Sequence, residues 1–274
     1  MKIFVLGSNG MLGRYVYTYF KSEGYNVIGL TRKELDVLHL REEELRSQLF
    51  FLGLEKGDVI INCIGMIKQR TDVNDIDFIY INSMFPHLLA NVCENEGCKL
   101  IHPTTDCVYD GLMGKYTEIV LHNATDVYGK SKSLGEPKNA TVIRTSIIGE
   151  EIGQSRSLIE WVKSNKGKEV NGYLNHFWNG VTCLQFAKIC KNIIDNKSYW
   201  NGVKHVYSNI VSKFELINMV SDIYDLNIKV NPFNTTIKCD RSLSSMYNNM
   251  FNNPSLYKQI EEMIDFYEIL KNNE

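Results

Sequence analysis

Ile3-Phe-Val-Leu-Gly7-Ser-Asn-Gly10-Met-Leu-Gly13 decides the fold. An apolar run ends in three glycines spaced three apart, and Arg14–Glu23 continues with helical periodicity. A strand must turn sharply there, and the backbone is left bare at a helix N-terminus, where free N–H groups and the positive end of the helix dipole favour an anion. Asn26–Leu30 is the next apolar run, so the chain opens with strand, glycine loop, helix and strand, a βαβ unit.

Outward from this unit the alternation continues. Asp58–Cys63, Lys99–His102 and Thr141–Thr145 read as strands, Tyr80–Glu96 and Tyr128–Glu136 as helices, and Ile64–Asp75 as a loop. Strands alternating with helices predict an α/β fold, a Rossmann-like doubly wound parallel sheet covered on both faces. After Gly149 the pattern changes. Helices are expected at Arg156–Ser164, Cys183–Ile194, Lys213–Tyr224 and Ser255–Leu270, a short strand at His205–Tyr207, and a long loop over Asn231–Asn253. The organisation expected is a dinucleotide-binding domain over 1–150 and a smaller C-terminal α/β lobe over 151–274, interleaved with the first and built mainly to hold substrate.

Composition narrows the partners. With 274 residues and a net charge of −2 the chain has no electrostatic footprint for nucleic acid or an anionic membrane. No apolar run reaches the ~20 residues that span a bilayer, and the N-terminus enters the glycine loop too directly for a signal peptide. The seven cysteines (63, 93, 98, 107, 183, 190 and 239) are scattered and include no C-x-x-C pair. That pattern suits a reducing, cytoplasmic setting and predicts neither a disulfide framework nor a metal site. A homodimer is left open.

The glycine loop predicts a dinucleotide whose pyrophosphate meets Gly7, Asn9, Gly10, Met11, Leu12 and Gly13. An acid after the second strand would accept the ribose hydroxyls of NAD, and a cation would tolerate the 2′-phosphate of NADP. Here the strand ends in Thr31, Arg32 and Lys33, which favours NADP(H) over NAD(H). Asp36 and Val37 would lie near the adenine, and Asn62, Cys63 and Ile64 would flank the adenosine ribose.

The chemistry is expected at Tyr128-Gly-Lys-Ser-Lys132 and the Thr105 hydroxyl upstream. A phenol is a poor acid at neutral pH unless a cation lowers its pKa, and a lysine four residues along a helix can supply that cation. Thr105 could then hold a carbonyl oxygen while Tyr128 protonates it.

Together these segments resemble the extended short-chain dehydrogenase/reductases, and within them the dTDP-4-dehydrorhamnose reductase group. The resemblance rests on Gly7–Gly13, on Ile101-His-Pro-Thr-Thr-Asp-Cys-Val-Tyr-Asp-Gly111, on Asp126-Val-Tyr-Gly-Lys-Ser-Lys-Ser-Leu-Gly-Glu136 and on Ile143-Arg-Thr-Ser146. It implies NAD(P)H-dependent reduction of the 4-keto group of a nucleotide-linked 6-deoxyhexulose, carried on UDP or dTDP. Tyr128 would donate the proton, Lys132 would tune it and hold the nicotinamide ribose, and Thr105 would polarise the ketone. The resemblance also places Asp106, His176, Trp178, Asn179 and Arg241 on the substrate, with the planar fork of Arg241 on the diphosphate.

One position departs from the reductase pattern. Cys107 stands where an aromatic is usual, and there the chain resembles bifunctional epimerase/reductases such as GDP-fucose synthase and the eukaryotic rhamnose synthases. This implies epimerisation at C3, or at C3 and C5, before reduction, with a Cys107 thiolate as base and Arg156, Lys163 or His176 as its partner. The product would be an activated L-rhamnose-like or 2-acetamido-6-deoxy-L-sugar. Two alternatives stay open: a simple reductase without epimerase activity, and a non-catalytic NADP-binding regulatory subunit like that of methionine adenosyltransferase.

Overall fold

The computed structural model describes residues 1–67, 74–153, 157–247 and 251–271. The first half runs β1 (Ile3–Leu6), α1 (Met11–Ser22), β2 (Val27–Leu30), α2 (Glu42–Phe51), β3 (Val59–Asn62) and α3 (Asp75–Ile79). A π-helical turn (Tyr80–Met84) leads into α4 (Phe85–Asn95), then β4 (Lys99–Thr105), a 3₁₀ turn (Asp106–Val108), α5 (Val127–Leu134), β5 (Thr141–Thr145) and β6 (Ile147–Ile148). The second half runs α6 (Leu158–Ser164), β7 (Glu169–Tyr173), β8 (His176–Trp178), β9 (Val181–Thr182), α7 (Cys183–Asp195), β10 (Gly202–His205), β11 (Val211–Ser212), α8 (Lys213–Ile223), β12 (Lys229–Phe233), β13 (Cys239–Asp240) and α9 (Leu256–Lys271).

Six strands form one parallel sheet in the order β10-β5-β4-β3-β1-β2. Side chains alternate across a strand, so each strand feeds two cores. Phe4, Leu6 and Ile60 meet Leu45 and Leu49 of α2 and Phe85 and Leu89 of α4 on one face. Ile3, Val5, Ile61 and Ile101 meet Val16 and Phe20 of α1 and Phe186 and Ile193 of α7 on the other. This is the Rossmann-like α/β sheet that the opening βαβ unit predicts. A third core joins α6, α8 and α9.

The chain after residue 150 rejoins the first sheet. Strand β10 pairs with Thr141–Arg144 of β5 and becomes the sheet's edge. It lies at Gly202–His205 rather than at His205–Tyr207, because its partners in β5 set its register. Helix α2 carries little sequence signal, since only Leu45 and Leu49 of its residues are buried. The expected loop over Asn231–Asn253 contains the end of β12 and the short strand β13, which pairs with His176 and Phe177 of β8.

Candidate active site

The glycine loop sits at the C-terminal end of β1, where its shape is dictated by crowding. Gly7 has φ +71°, in the left-handed region that glycine adopts without strain. A Cβ on Gly13 would lie 2.1 Å from the Gly7 carbonyl oxygen, so α1 can start this close to the strand only with glycine there. Gly10 caps α1 without a side-chain hydrogen bond, and no acidic residue occupies the first turn. The N–H groups of Met11, Leu12 and Gly13 therefore face outward without an intrahelical acceptor, the arrangement a pyrophosphate requires. Cys63 and Ile64 close the other side, within 3.2 Å of where a Gly7 Cβ would be, and Asn62 holds the Ile64 amide through its Oδ1 at 3.1 Å. These residues fit a dinucleotide, which when bound supplies or accepts a hydride.

At the tip of β2 the expected phosphate cradle is already engaged by acids. Glu34 accepts from the Thr31 hydroxyl at 2.6 Å and from the Thr31 amide at 2.9 Å. Those hydrogen bonds hold the Glu34 carboxyl below its ordinary value. Arg32 Nε is paired with Asp36 at 3.0 Å.

The reaction site lies where β4 ends. Thr105 is the last residue of β4, and its Oγ1 accepts from the Cys107 amide at 3.1 Å, which folds the following 3₁₀ turn. Helix α5 is capped by Asp126, whose side chain accepts from the Gly129 amide at 2.8 Å. Its Gly129 faces the Cys107 carbonyl so closely that a Cβ would sit 2.4 Å from that oxygen. Sequence thus brings Tyr128 against the Thr105–Cys107 turn. Ser131 docks the same helix on the π-helical turn, through the Ser83 hydroxyl donating to its carbonyl and Asn82 Nδ2 donating to its Oγ at 3.2 Å. One turn on, buried Lys132 donates from Nζ to the Pro103 carbonyl at 3.3 Å.

Burial controls the electrostatics of this site. It pushes the Tyr128 phenol well above its ordinary value, with Cys107 and Asp106 adding to the rise and the Thr105 hydroxyl pulling it back. Lys132 is not among the leading influences on that phenol. Burial lowers Lys132 itself to about 8, against a smaller upward pull from Glu136. The expected Cys107 thiolate is corrected: burial and Asp106 push the thiol up to about 12, more than Arg241 draws it down, so Cys107 is protonated near neutral pH.

A second group of side chains meets this turn from the C-terminal lobe. Arg241, following β13, donates from Nε to the Tyr109 carbonyl at 3.0 Å, and its charge is felt by Asp106 and Cys107. Lys213, the first residue of α8, acts on the same two groups. Its Nζ stands 5.4 Å from the centroid of the Trp178 ring. Lys213 also lines a cavity of about 490 Å³ with Trp161, Asn171, Tyr173, His176 and Ile217.

Residues 1–238 match the model of the RmlD substrate binding domain. The chain belongs to this family. Among curated proteins it is similar to the methionine adenosyltransferase 2 subunit beta of Xenopus laevis, 26% identical over 245 residues that cover 81% of this chain and 72% of the relative. It is also similar to the dTDP-4-dehydrorhamnose reductase of Mycobacterium tuberculosis, 30% identical over 160 residues, covering 54% of this chain and 50% of that enzyme. The crystal structure of a dTDP-4-dehydrorhamnose reductase from Clostridium acetobutylicum superposes with a TM-score of 0.77 at 22% identity, covering 98% of this chain and 100% of the other. One from Bacillus anthracis, in complex with NADP, gives 0.79 at 18% identity, covering 96% and 98%.

Within this member of the RmlD substrate binding domain family, the remaining expected residues divide clearly. His176 lines the cavity while its Nε2 is 2.8 Å from the Thr235 hydroxyl. Trp178 is buried, and its ring packs against the Lys213 ammonium. Asn179 is spent on structure, with both ends of its amide bonded to the Leu243 backbone at 2.8 Å. Lys163 turns away to an ion pair with buried Glu150, which also accepts from Tyr15 at 3.2 Å. Arg156 lies outside the described residues. Two residues beside the site carry almost no sequence signal: Lys213, marked only by its place at a helix start after the Ser212 cap, and Asn82, which pins the loop after β3 through both Met66 backbone groups.

Proposed function

We propose that the protein uses NADPH to reduce the 4-keto group of a nucleotide-linked 4-keto-6-deoxyhexose, after epimerising the sugar at C3, or at C3 and C5. The observation that carries this reading is the meeting of Thr105, Tyr128 and Cys107 at the C-terminal end of β4, beside a glycine loop shaped for a dinucleotide. Tyr128 donates its proton to the ketone oxygen, Thr105 holds that oxygen, and Lys132 grips the ribose side of the site. Positioned proton transfer of this kind is worth ~10²–10⁴ in rate. Cys107 works on the carbon next to the ketone, whose C–H bond the carbonyl acidifies. The carrier is UDP or dTDP, and the cofactor is NADP(H) in preference to NAD(H), a preference supported by the cationic Arg32 and Lys33 after β2 and opposed by the acids that engage Thr31 and Arg32.

The test is NADPH oxidation with the 4-keto-6-deoxy products made from UDP-glucose and dTDP-glucose by a 4,6-dehydratase. Oxidation with either ketone supports the reading, and none with either one overturns it. A second reading is favoured by one observation: the match to the methionine adenosyltransferase subunit spans 245 residues, far more than the 160 shared with the reductase. On that reading the chain binds NADP and a catalytic partner and turns nothing over. NADPH binding without oxidation of any nucleotide ketone would be its signature.

A further inference from the structure

We propose that His122 is a positioning residue for the reduction: as a neutral imidazole it completes the acceptors around Arg144 that hold the helix of Tyr128 against the turn of Thr105. This rests on the reductase reading above and adds to it a pH-dependent assembly of the site.

Helix α5 is not placed by apolar burial. Its buried residues are Gly129, Ser131 and Lys132, while Val127 and Leu134 are exposed. Directional polar bonds must fix it, and a set of them converges on Arg144 of β5, which is 2% exposed. A guanidinium has five N–H donors, and here each has an acceptor. Nε donates to Glu136 Oε1 at 3.0 Å, and Nη2 donates to Glu136 Oε2 at 2.5 Å and to His122 Nε2 at 2.7 Å. Nη1 donates to the Tyr109 hydroxyl at 2.7 Å and to His205 Nε2 at 2.8 Å. Glu136 follows α5 and Tyr109 follows the 3₁₀ turn, so one cation ties together the two segments that carry Tyr128 and Thr105.

A guanidinium cannot accept a hydrogen bond, so the bonded nitrogens of both histidines must be unprotonated. On His122 the proton then sits on Nδ1, which donates to Ser133 Oγ of α5 at 2.6 Å. The loop before α5 is thereby fastened to the helix itself. Protonating Nε2 would remove one of the five acceptors and set a second cation 2.7 Å from the guanidinium. Three ionisable groups face this imidazole: Arg144 from β5, Glu136 after α5 at 3.8 Å, and the Tyr109 ring, edge-on at 5.6 Å between centroids. Glu136 offsets the repulsion only in part, because both of its oxygens already bind Arg144. Burial and Arg144 together outweigh Glu136 and lower the His122 pKa below its ordinary 6.5. His205 is held neutral down to about pH 4, whereas the His122 side chain is 23% exposed and within reach of solvent. The stability that neutral His122 lends is therefore complete above about pH 6.5 and is lost as pH falls through its lowered value.

The experiment compares the full chain with His122→Gln, whose amide oxygen can accept from Arg144 without titrating, and with His122→Leu, which offers no acceptor. The first readout is urea unfolding between about pH 7.5 and pH 5. Wild type should lose stability toward pH 5, and His122→Gln should lose distinctly less, the remainder belonging to His205. Equal losses overturn the proposal. The second readout is kcat for NADPH oxidation with the dTDP- and UDP-linked 4-keto-6-deoxy sugars over the same range. Displacing reacting groups by about 1 Å costs ~100-fold, so wild-type kcat should fall ~10-fold or more by pH 5 while KM for NADPH holds. His122→Gln should show little of that fall, and His122→Leu should be slow at both ends of the range. A fall in His122→Gln that matches wild type, or a His122→Leu as fast as wild type, overturns the positioning role. NADP⁺ binding reports that each variant is folded. No oxidation by wild type at any pH sinks the reductase reading instead, and urea unfolding then still decides whether His122 is the neutral acceptor.

Discussion

At the tip of β2, two carboxylates stand where a 2′-phosphate would have to come. Glu34 holds Thr31 and Asp36 holds Arg32, so a phosphate must displace both acids to use the hydroxyl and the guanidinium. Glu34→Gln removes one repelling charge, and it is expected to lower the Kd for NADP⁺ roughly threefold to tenfold while leaving that for NAD⁺ unchanged or weaker. Titration calorimetry with the two dinucleotides checks this. A second residue-scale expectation follows from Lys132. Burial favours its neutral form, so the cation exists below about pH 8 and is lost above it. Tyr128 is pushed the other way and stays protonated, leaving Lys132 to set the limb. The value of kcat/KM for reduction should therefore decline above about pH 8, a profile that reports the free enzyme. That Thr105, Tyr128 and Lys132 lie near one another was legible in the sequence, because helical spacing and a shared motif encode that neighbourhood. The sequence could not disclose how the Cys107 thiol is set, because that depends on burial and on charges distant along the chain, such as that of Arg241, which draws the thiol down.

Among the elements, α5 and its close approach to the 3₁₀ turn after β4 matter most. Gly129 permits that approach, because a Cβ would lie 2.4 Å from the Cys107 carbonyl oxygen and 2.5 Å from the Ala124 Cβ. Backbone cannot yield as a flexible side chain would. Gly129→Ala is expected to push Tyr128 off Thr105, costing ~1–3 kcal/mol of stability and a larger share of turnover than of NADPH binding. Thermal unfolding and steady-state kinetics read the two effects separately. Most elements of the first sheet were legible, because apolar runs and turn residues alternate there with little ambiguity. Helix α2 was not, since it shows only two inward leucines among polar residues. The short strands β7, β8, β9, β11 and β13 were hidden for another reason: pairing partners distant in sequence define them, not a local pattern.

Across the whole molecule, two buried ionic networks join the parts that sequence alone would separate. Arg144 of β5 binds Glu136 past the end of α5, and its NH1 lies 2.8 Å from His205 Nε2 of β10. Burial and the Arg144 charge lower His205 to about 4, so the imidazole is neutral and can accept from the guanidinium. The edge strand supplied after residue 150 is thereby tied to the helix that carries Tyr128. Lys163 and Glu150 form the second network, with Tyr15 of α1 reaching the same carboxylate. Lys163→Met leaves that carboxylate buried without its cation, and is expected to cost ~3 kcal/mol. Adding Glu150→Gln should recover a good part of the loss in urea unfolding.

The proposed function stands or falls with hydride delivery to a sugar ketone under Tyr128. It is tested most directly by a single turnover with NADPH deuterated at the transferring C4 position, using the dTDP- and UDP-linked 4-keto-6-deoxy sugars. Deuterium is expected at C4 of the sugar with at least one of them, and Tyr128→Phe is expected to lose ~100-fold or more in rate with NADPH binding retained. Bound NADPH that transfers no label to either ketone, or equal transfer in Tyr128→Phe, would contradict it.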